Sequence, residues 1–213
     1  MHSLKKHLAL LIALLSFMAA SVAADMEAPD DLIKRVSQEI LDAATTDKQI
    51  QAGNQQRIMA LVQETIIPHV DFQRMTAMAA GRFWRDASPE QQTSLTAEFK
   101  TLLVYTYAGA ITQVRNQKID FRPMRNDPAD TEVEVRSMVL QQRGEPIQLS
   151  YRLEKTPSGW KIYDVNILGA WLVETYKSSF ASEISKGGID GLIKTLSERN
   201  KRLAAASART VRN

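Results

Sequence analysis

Cysteine is absent from this chain of 213 residues, and its absence removes disulfides, thiolate metal sites and thiol nucleophiles together. Histidine is scarce: His2, His7 and His69 are the whole supply. The first two fall in a segment read below as a removable leader. A chain left with His69 alone cannot build a two-histidine zinc site, and a Ser-His-Asp triad would depend on that one ring. The phosphate loop GxxxxGKS/T, GxGxxG, HExxH and GxSxG are also missing, which removes the usual signatures of nucleotide binding, zinc peptidases and serine hydrolases. Charge of one sign is lacking as well. The 27 bases exceed the 24 acids by little, and Lys5 and Lys6 go with the leader, which leaves near-neutrality and no electrostatic footprint for nucleic acid. Only the tail is one-sided: Arg199, Lys201, Arg202, Arg209 and Arg212 face Glu198 alone. It reads either as a solvated end or as a contact for anionic lipid headgroups.

What is present is a globular composition, 44% apolar and 24% charged, at a length that suits a single domain. Lys5-Lys6-His7, the apolar run 8–20 and Ser21-Val22-Ala23-Ala24 are the basic head, apolar stretch and small-residue cut site of a secretory signal peptide. The run is too short for a bilayer span of about 20 residues. Cleavage is expected after Ala23 or Ala24, which makes residues 1–24 a leader and residues 25–213 an exported, periplasmic domain. The competing reading is an uncleaved N-terminal anchor.

Apolar residues recur at helical spacing over residues 30–43 (Leu32, Ile33, Val36, Ile40, Leu41) and 54–67 (Ile58, Leu61, Val62, Ile66), where Pro68 stops the second run. A short helix is expected over 71–80, ended by Gly81. Ser88-Pro89-Glu90-Gln91 combines a capping box with proline at the first helical position and opens a helix to about Asn116. The period then changes from 3.6 to 2. Strands are expected at 119–124, 131–142, 147–154 and 160–167, joined by Asn126-Asp127-Pro128, Gly144-Glu145-Pro146 and Pro157-Ser158-Gly159,. Parity places Tyr163, Val165 and Ile167 on one face and Asp164 with Asn166 on the other. Helices resume over 172–186 and 189–203, with Gly187-Gly188 between them. The fold class is α+β: a curved antiparallel sheet of about four strands wrapped by helices (helical part about 30–116, sheet about 119–167, C-terminal helices about 172–203), cone-shaped with an internal apolar pocket.

Three places invite a chemical reading. Gly187-Gly188-Ile189-Asp190-Gly191 precedes a helix and could hold an anion, but it follows a helix rather than a strand and serves as well as a helix break. His69, after Pro68, is a turn residue or a lone base. Asp164, beside Tyr163, is either a base in a pocket or a polar-face residue. No pair of titratable groups stands out, and no catalytic residue, metal or cofactor is assigned.

The blocks Phe72-Gln73-Arg74-Met75-Thr76, Gly81-Arg82-Phe83-Trp84-Arg85, Ala87-Ser88-Pro89-Glu90-Gln91 and Phe99, Leu102, Leu103, Thr106, Tyr107, Ala108, followed by Trp160-Lys161-Ile162-Tyr163-Asp164-Val165 and then Leu172, Val173, Tyr176, Phe180, Ile184, Gly188, Ile189, Leu192, Ile193 and Leu196, resemble the toluene-tolerance family in order and spacing over nearly all of the chain past the leader. One departure is Ile167-Leu168-Gly169-Ala170-Trp171, bulkier than the family's usual small residues there, which would reshape the pocket near Trp171. The resemblance implies a carrier of phospholipid in the Mla pathway, moving its cargo between an outer-membrane lipoprotein complex (MlaA with a porin) and an inner-membrane ABC transporter complex (MlaD) and so maintaining outer-membrane asymmetry. It implies no enzyme activity, and phospholipid as cargo rather than cofactor. The wall positions it implies are Phe99, Leu103, Val133, Val135, Val139, Leu149, Tyr151, Tyr163, Val165, Val173, Tyr176 and Phe180.

Two acyl chains carry about 30 methylenes, each worth ~0.8 kcal/mol away from water, so a carrier must offer an apolar home worth on the order of 25 kcal/mol. Such a pocket is expected near or above the top of the roughly 300–1,000 Å³ range, and empty at that size it would cost on the order of 20 kcal/mol. Met59, Met75, Met78 and Met138 suit an adaptable wall. Arg74, Arg82 and Arg85 either touch phosphate or are solvated, and no positioned fork selects one headgroup. Two other classes stay open: an exported isomerase or hydratase using Asp164, and a module whose groove receives a partner's helix or a lipoprotein acyl chain.

Overall fold

The computed structural model describes residues 26–114, 117–124, 127, 129–141 and 144–210, with side chains to residue 207. The expected leader, the helix end at Asn116, the turn residues Asn126 and Pro128, the strand end Gln142 and the tail residues Arg209 and Arg212 lie outside the described positions or side chains.

Helix α1 (Pro29–Thr46) starts with proline at its first position and Asp30 and Asp31 in the first turn, where acids suit the positive end of the helix dipole. Asp47 ends it in an extended conformation. Its carboxylate accepts from the amides of Gln49 (2.8 Å) and Ile50 (3.3 Å) and so opens the short α2 (Lys48–Gln51). Asn54 caps α3 (Gln55–Leu61) by accepting from the Arg57 amide.

The helix expected over 54–67 does not stay regular. Pro68 lacks an N–H and its ring crowds the carbonyl four residues back. The chain widens into a π-helical turn (Val62–Ile66), with the Ile67 amide donating five residues back to the Val62 carbonyl, and then tightens into a 3₁₀ turn (Ile67–His69). Asp71 accepts from the Arg74 amide to cap α4 (Phe72–Ala80). A 3₁₀ segment (Gly81–Asp86) follows.

Helix α5 (Pro89–Tyr107) opens on the reciprocal capping box. The Gln91 amide donates to Ser88 Oγ (3.2 Å) and the Ser88 amide donates to Gln91 Oε1 (3.0 Å). The helix continues as a 3₁₀ turn (Ala108–Gln113). Helix α6 (Leu172–Thr210) is broken at Gly188, whose φ of 68° and ψ of −172° suit only glycine,. Gly187-Gly188 is thus a helix break.

The sheet is an antiparallel meander, β1 (Lys118–Phe121), β2 (Glu132–Leu140), β3 (Ile147–Thr156), β4 (Gly159–Ile167) and β5 (Ala170–Trp171), paired in that order. The α+β class holds, with five strands instead of about four. The extra strand is the two-residue return after Leu168 and Gly169, a length that leaves no alternation to read in the sequence.

The second difference is one of face. Arg152 pairs with Asp164 and Leu153 with Ile162, so Tyr163 is an extra residue on β4. A bulge of one residue reverses the alternation. Ile162 therefore joins Val165 and Ile167 on the inner face, and Tyr163, expected there, turns outward.

The interior divides into three apolar clusters. One joins α4, α5 and α6 around Phe99, Leu102, Phe180 and Leu192. A second seats Leu32, Ile33 and Val36 of α1 on Val135, Leu153, Trp160 and Ile162 of the sheet. A third gathers Ala44, Ile50, Ile58, Leu61 and Val62 against Ala108 and Ile111.

Candidate functional site

Where the three clusters meet they leave a cavity of about 290 Å³. Each cluster supplies part of the wall. From α1 come Ile33, Val36, Ser37 and Ile40. The π turn and the segment after it give Val62, Ile66, Val70 and Phe72. Met75, Leu103, Tyr107 and Ile111 come from the helical side, and Tyr151, Ile162, Val165 and Ile167 from the sheet. The only polar atoms these side chains bring are hydroxyls. Val62 and Ile66, four residues apart on the π turn, both face the wall.

Of the wall positions implied by the resemblance, Leu103, Tyr151 and Val165 lie in this lining. Phe99, Val173, Tyr176 and Phe180 stand together one layer behind it in the α4–α5–α6 cluster. There the Phe99 ring meets Tyr176 and Phe180 edge-on, both at 4.9 Å between centroids. Val135 is buried in the α1–sheet cluster, with Val133 packed against it. Val139 and Leu149 lie further along the inner face, paired with Ile147 and with Ser137 and Ile167. Tyr163 is on the outer face. The lining residues of α1 and the π turn were not singled out from the sequence. Their signal was present in the apolar stripes of 30–43 and 54–67, which read equally as plain core.

The outer face accounts for several residues with a chemical reading. Tyr163 donates to Glu132 Oε2 (3.1 Å), and the Arg74 guanidinium lies over its ring at 3.7 Å. Arg74 pairs with Glu132 (2.6 Å) and with Glu154. That bond to Arg74 is the main reason the Glu132 carboxyl is held below its ordinary range. Arg74 thus clamps the start of α4 to β2 and β3. Arg82 lies over Phe83, 4.9 Å from its centroid.

Asp164 is 1% exposed. Its Oδ1 accepts from the amides of Val165 (2.9 Å) and Val173 (3.1 Å), and Arg152 stands 3.7 Å from Oδ2. Burial pushes this carboxyl up, and the two amides and Arg152 act against that. Its geometry is that of a remote cap on the first turn of α6. Arg152 also stacks on Trp171 at 3.8 Å, so Trp171 faces outward and does not reshape the cavity. His69, in its 3₁₀ turn, is pushed below its ordinary 6.5 chiefly by burial and is not part of the wall.

The cavity sits at the low end of the ~300–1,000 Å³ of ligand pockets, well under the size expected for two full acyl chains. Phe72, Met75, Tyr107 and Tyr151 are among its bulkiest lining side chains. Among the described residues no helix is long and apolar enough to cross a membrane, and no cluster of three His, Asp or Glu is placed to hold a metal.

The sequence model of the MlaC protein family matches residues 34–198. The chain is 27% identical over 139 residues to the intermembrane phospholipid transport system binding protein MlaC of Haemophilus influenzae, covering 64% of this chain and 65% of that protein. It thus spans just under two thirds of that relative's length. Against the toluene tolerance protein ttg2D of Pseudomonas putida it is 26% identical over 182 residues, 85% of this chain and 83% of the other. A phospholipid-binding protein of Ralstonia solanacearum, solved in complex with a phospholipid, is 48% identical with a TM-score of 0.77, over 82% of this chain and 98% of that one.

Proposed function

The chain belongs to the MlaC protein family, and we propose that it is a periplasmic phospholipid carrier. It is exported by its leader, which is cut after Ala23 or Ala24 to free a domain of residues 25–213. It holds its cargo by the acyl chains and moves it between an outer-membrane lipoprotein complex (MlaA with a porin) and an inner-membrane ABC transporter complex (MlaD), which maintains outer-membrane asymmetry.

One observation carries this reading: the interior is three clusters around an apolar cavity where a chain of this size normally builds one contiguous core. The 48% identical Ralstonia protein, solved with a phospholipid, supports the same cargo. Leu103, Tyr151 and Val165 touch the tails directly. A second chain enlarges the cavity toward Phe99, Val173, Tyr176 and Phe180 on one side and toward Val133, Val135, Val139 and Leu149 on the other. Tyr163 contributes from the outer face by anchoring α4 through Arg74. With Arg74 engaged by two glutamates, headgroup discrimination is weak.

Native mass spectrometry of the exported protein tests the cargo directly. The expected adduct has the mass of a diacyl phospholipid, in a mixture of headgroups that follows the cellular pool. Purification without any amphiphile under gentle conditions would overturn the carrier reading, and a single headgroup class would overturn the weak discrimination. The isomerase-like reading is opposed by the engagement of Asp164 with backbone amides. Asp164→Asn is expected to retain its lipid.

A further inference from the structure

Apart from Tyr107 of α5, the cavity is apolar except at one seam. Ser37 of α1 and Tyr151 of β3 both line it. Ser137 lies on β2 two residues beyond Val135, the partner of Tyr151, which puts its side chain on the same face, diagonally beside the ring. Burial pushes the Tyr151 phenol up and keeps it a donor, and the Ser137 and Ser37 hydroxyls sit close enough to act against that shift. Ser137 is 5% exposed, and its Oγ completes no hydrogen bond of normal geometry. A buried hydroxyl without a well-formed hydrogen bond is costly to leave so, and an acceptor offered from the cavity would complete it.

The seam also marks a boundary. Ser37 lines a second depression of about 510 Å³, between α1 and β1, whose other residues include Lys34, Gln38, Asp42 and Lys118. Hydrocarbon space, hydroxyls and a groove of mixed character, with Leu41, Ile119 and Phe121 beside its charged and amide side chains, therefore follow one another across α1. That is the order of tails, ester linkages and headgroup along a diacyl phospholipid.

We infer that Ser37, Ser137 and Tyr151 form an ester-binding subsite that donates hydrogen bonds to the acyl carbonyl oxygens of the cargo, with the headgroup in the α1–β1 groove. The inference rests on the carrier reading and adds the point at which the lipid is fixed along its length. An ester carbonyl only accepts, and each of the three groups gathered here carries a hydroxyl donor. Such a subsite reads the linkage and leaves chain length and headgroup free.

The test compares two lipids of equal chain length and headgroup, a diacyl ester phosphatidylethanolamine and its dialkyl ether counterpart, which lacks both carbonyls. Each is offered in vesicles to the delipidated protein, and lipid retained per protein is read by mass spectrometry. Wild-type protein is expected to retain the ester over the ether on the order of five- to tenfold, the worth of one net hydrogen bond. Tyr151→Phe and Ser137→Ala are each expected to bring that ratio toward unity. Equal retention of the two lipids by the wild type would overturn the subsite alone, and that arm needs no variant to fold. An ester preference unchanged in both variants would also overturn it. Uptake of neither lipid would overturn the carrier reading and the subsite with it.

Discussion

The cluster between α4, α5 and α6 and the region between α1, the π turn and the sheet draw on the same kinds of residue, yet the first closes and the second does not. In the closed cluster three rings interlock, Phe99 edge-on to Tyr176 and Phe180, with Tyr176 and Phe180 at 5.9 Å. Two long helices, α5 and the first half of α6, bring them together in one cluster. Around the cavity, side chains arrive from α1, α4, α5 and the start of α6, a π turn and a bulged sheet, elements whose directions cannot all be satisfied by one interdigitated layer. Hydrophobicity thus places residues inside, and the geometry of the elements decides whether the inside fills.

The largest effect belongs to the closed region. Leu192, 1% exposed in the same cluster, is expected to lose ~2–5 kcal/mol of stability in Leu192→Ala, by the same amount in lipid-loaded and lipid-stripped protein, as read from denaturant midpoints. A loss that appeared only in the loaded form would erase the distinction between the two regions. Next comes removal of lipid itself. Because a ligand bound only to the folded state stabilises it by ~2.7 kcal/mol at a hundredfold excess over its Kd, the stripped protein is expected to melt several degrees lower. Equal melting midpoints would mean that cargo does not fill the interior.

Val165→Trp sharpens the comparison from the other side. In a packed core the added volume costs ~1–3 kcal/mol. On the cavity wall it is expected to cost the lower end of that, while lipid retained on purification falls several-fold.

The smallest effect lies on the outer face. The Glu132 carboxyl, held below 4.5 mainly by its bond to Arg74, contributes stability that is present above that value and is lost as pH falls through its depressed one. Arg74→Met is expected to cost under ~1 kcal/mol at neutral pH, in keeping with partly exposed ion pairs. It leaves Glu132 and Glu154, paired across β2 and β3, facing each other, so acidification destabilises the variant less than the wild type. Parallel acid limbs in urea titrations of the two proteins would show that the clamp does not act through this carboxyl.

Much of the frame was legible because it is written locally. The capping box at Ser88 and Gln91, the proline at the first position of α5 and the break at Gly187-Gly188 depend on groups within four residues of one another. Strand alternation likewise located β2, β3 and β4 to within two residues. The site was legible only in part. Leu103, Tyr151 and Val165 were picked out with nine others, whereas Ile33, Val36, Val62 and Ile66 looked like ordinary core. Tyr163 was assigned to the wrong face because a bulge is a property of two strands, and the alternation of β4 taken alone shows no trace of it.

By itself, the sequence determined which residues leave water, where helices and strands begin, and which chemistries the chain is unable to support, since those follow from side-chain type and from neighbours along the backbone. Only the tertiary structure decided that the apolar clusters stop short of merging, that Arg74 is engaged on the outer face, and that Ser37, Ser137 and Tyr151 share a seam. These are relations of shape between residues more than a hundred positions apart, and a cavity is the space such residues leave unfilled, which no single stretch of chain encodes.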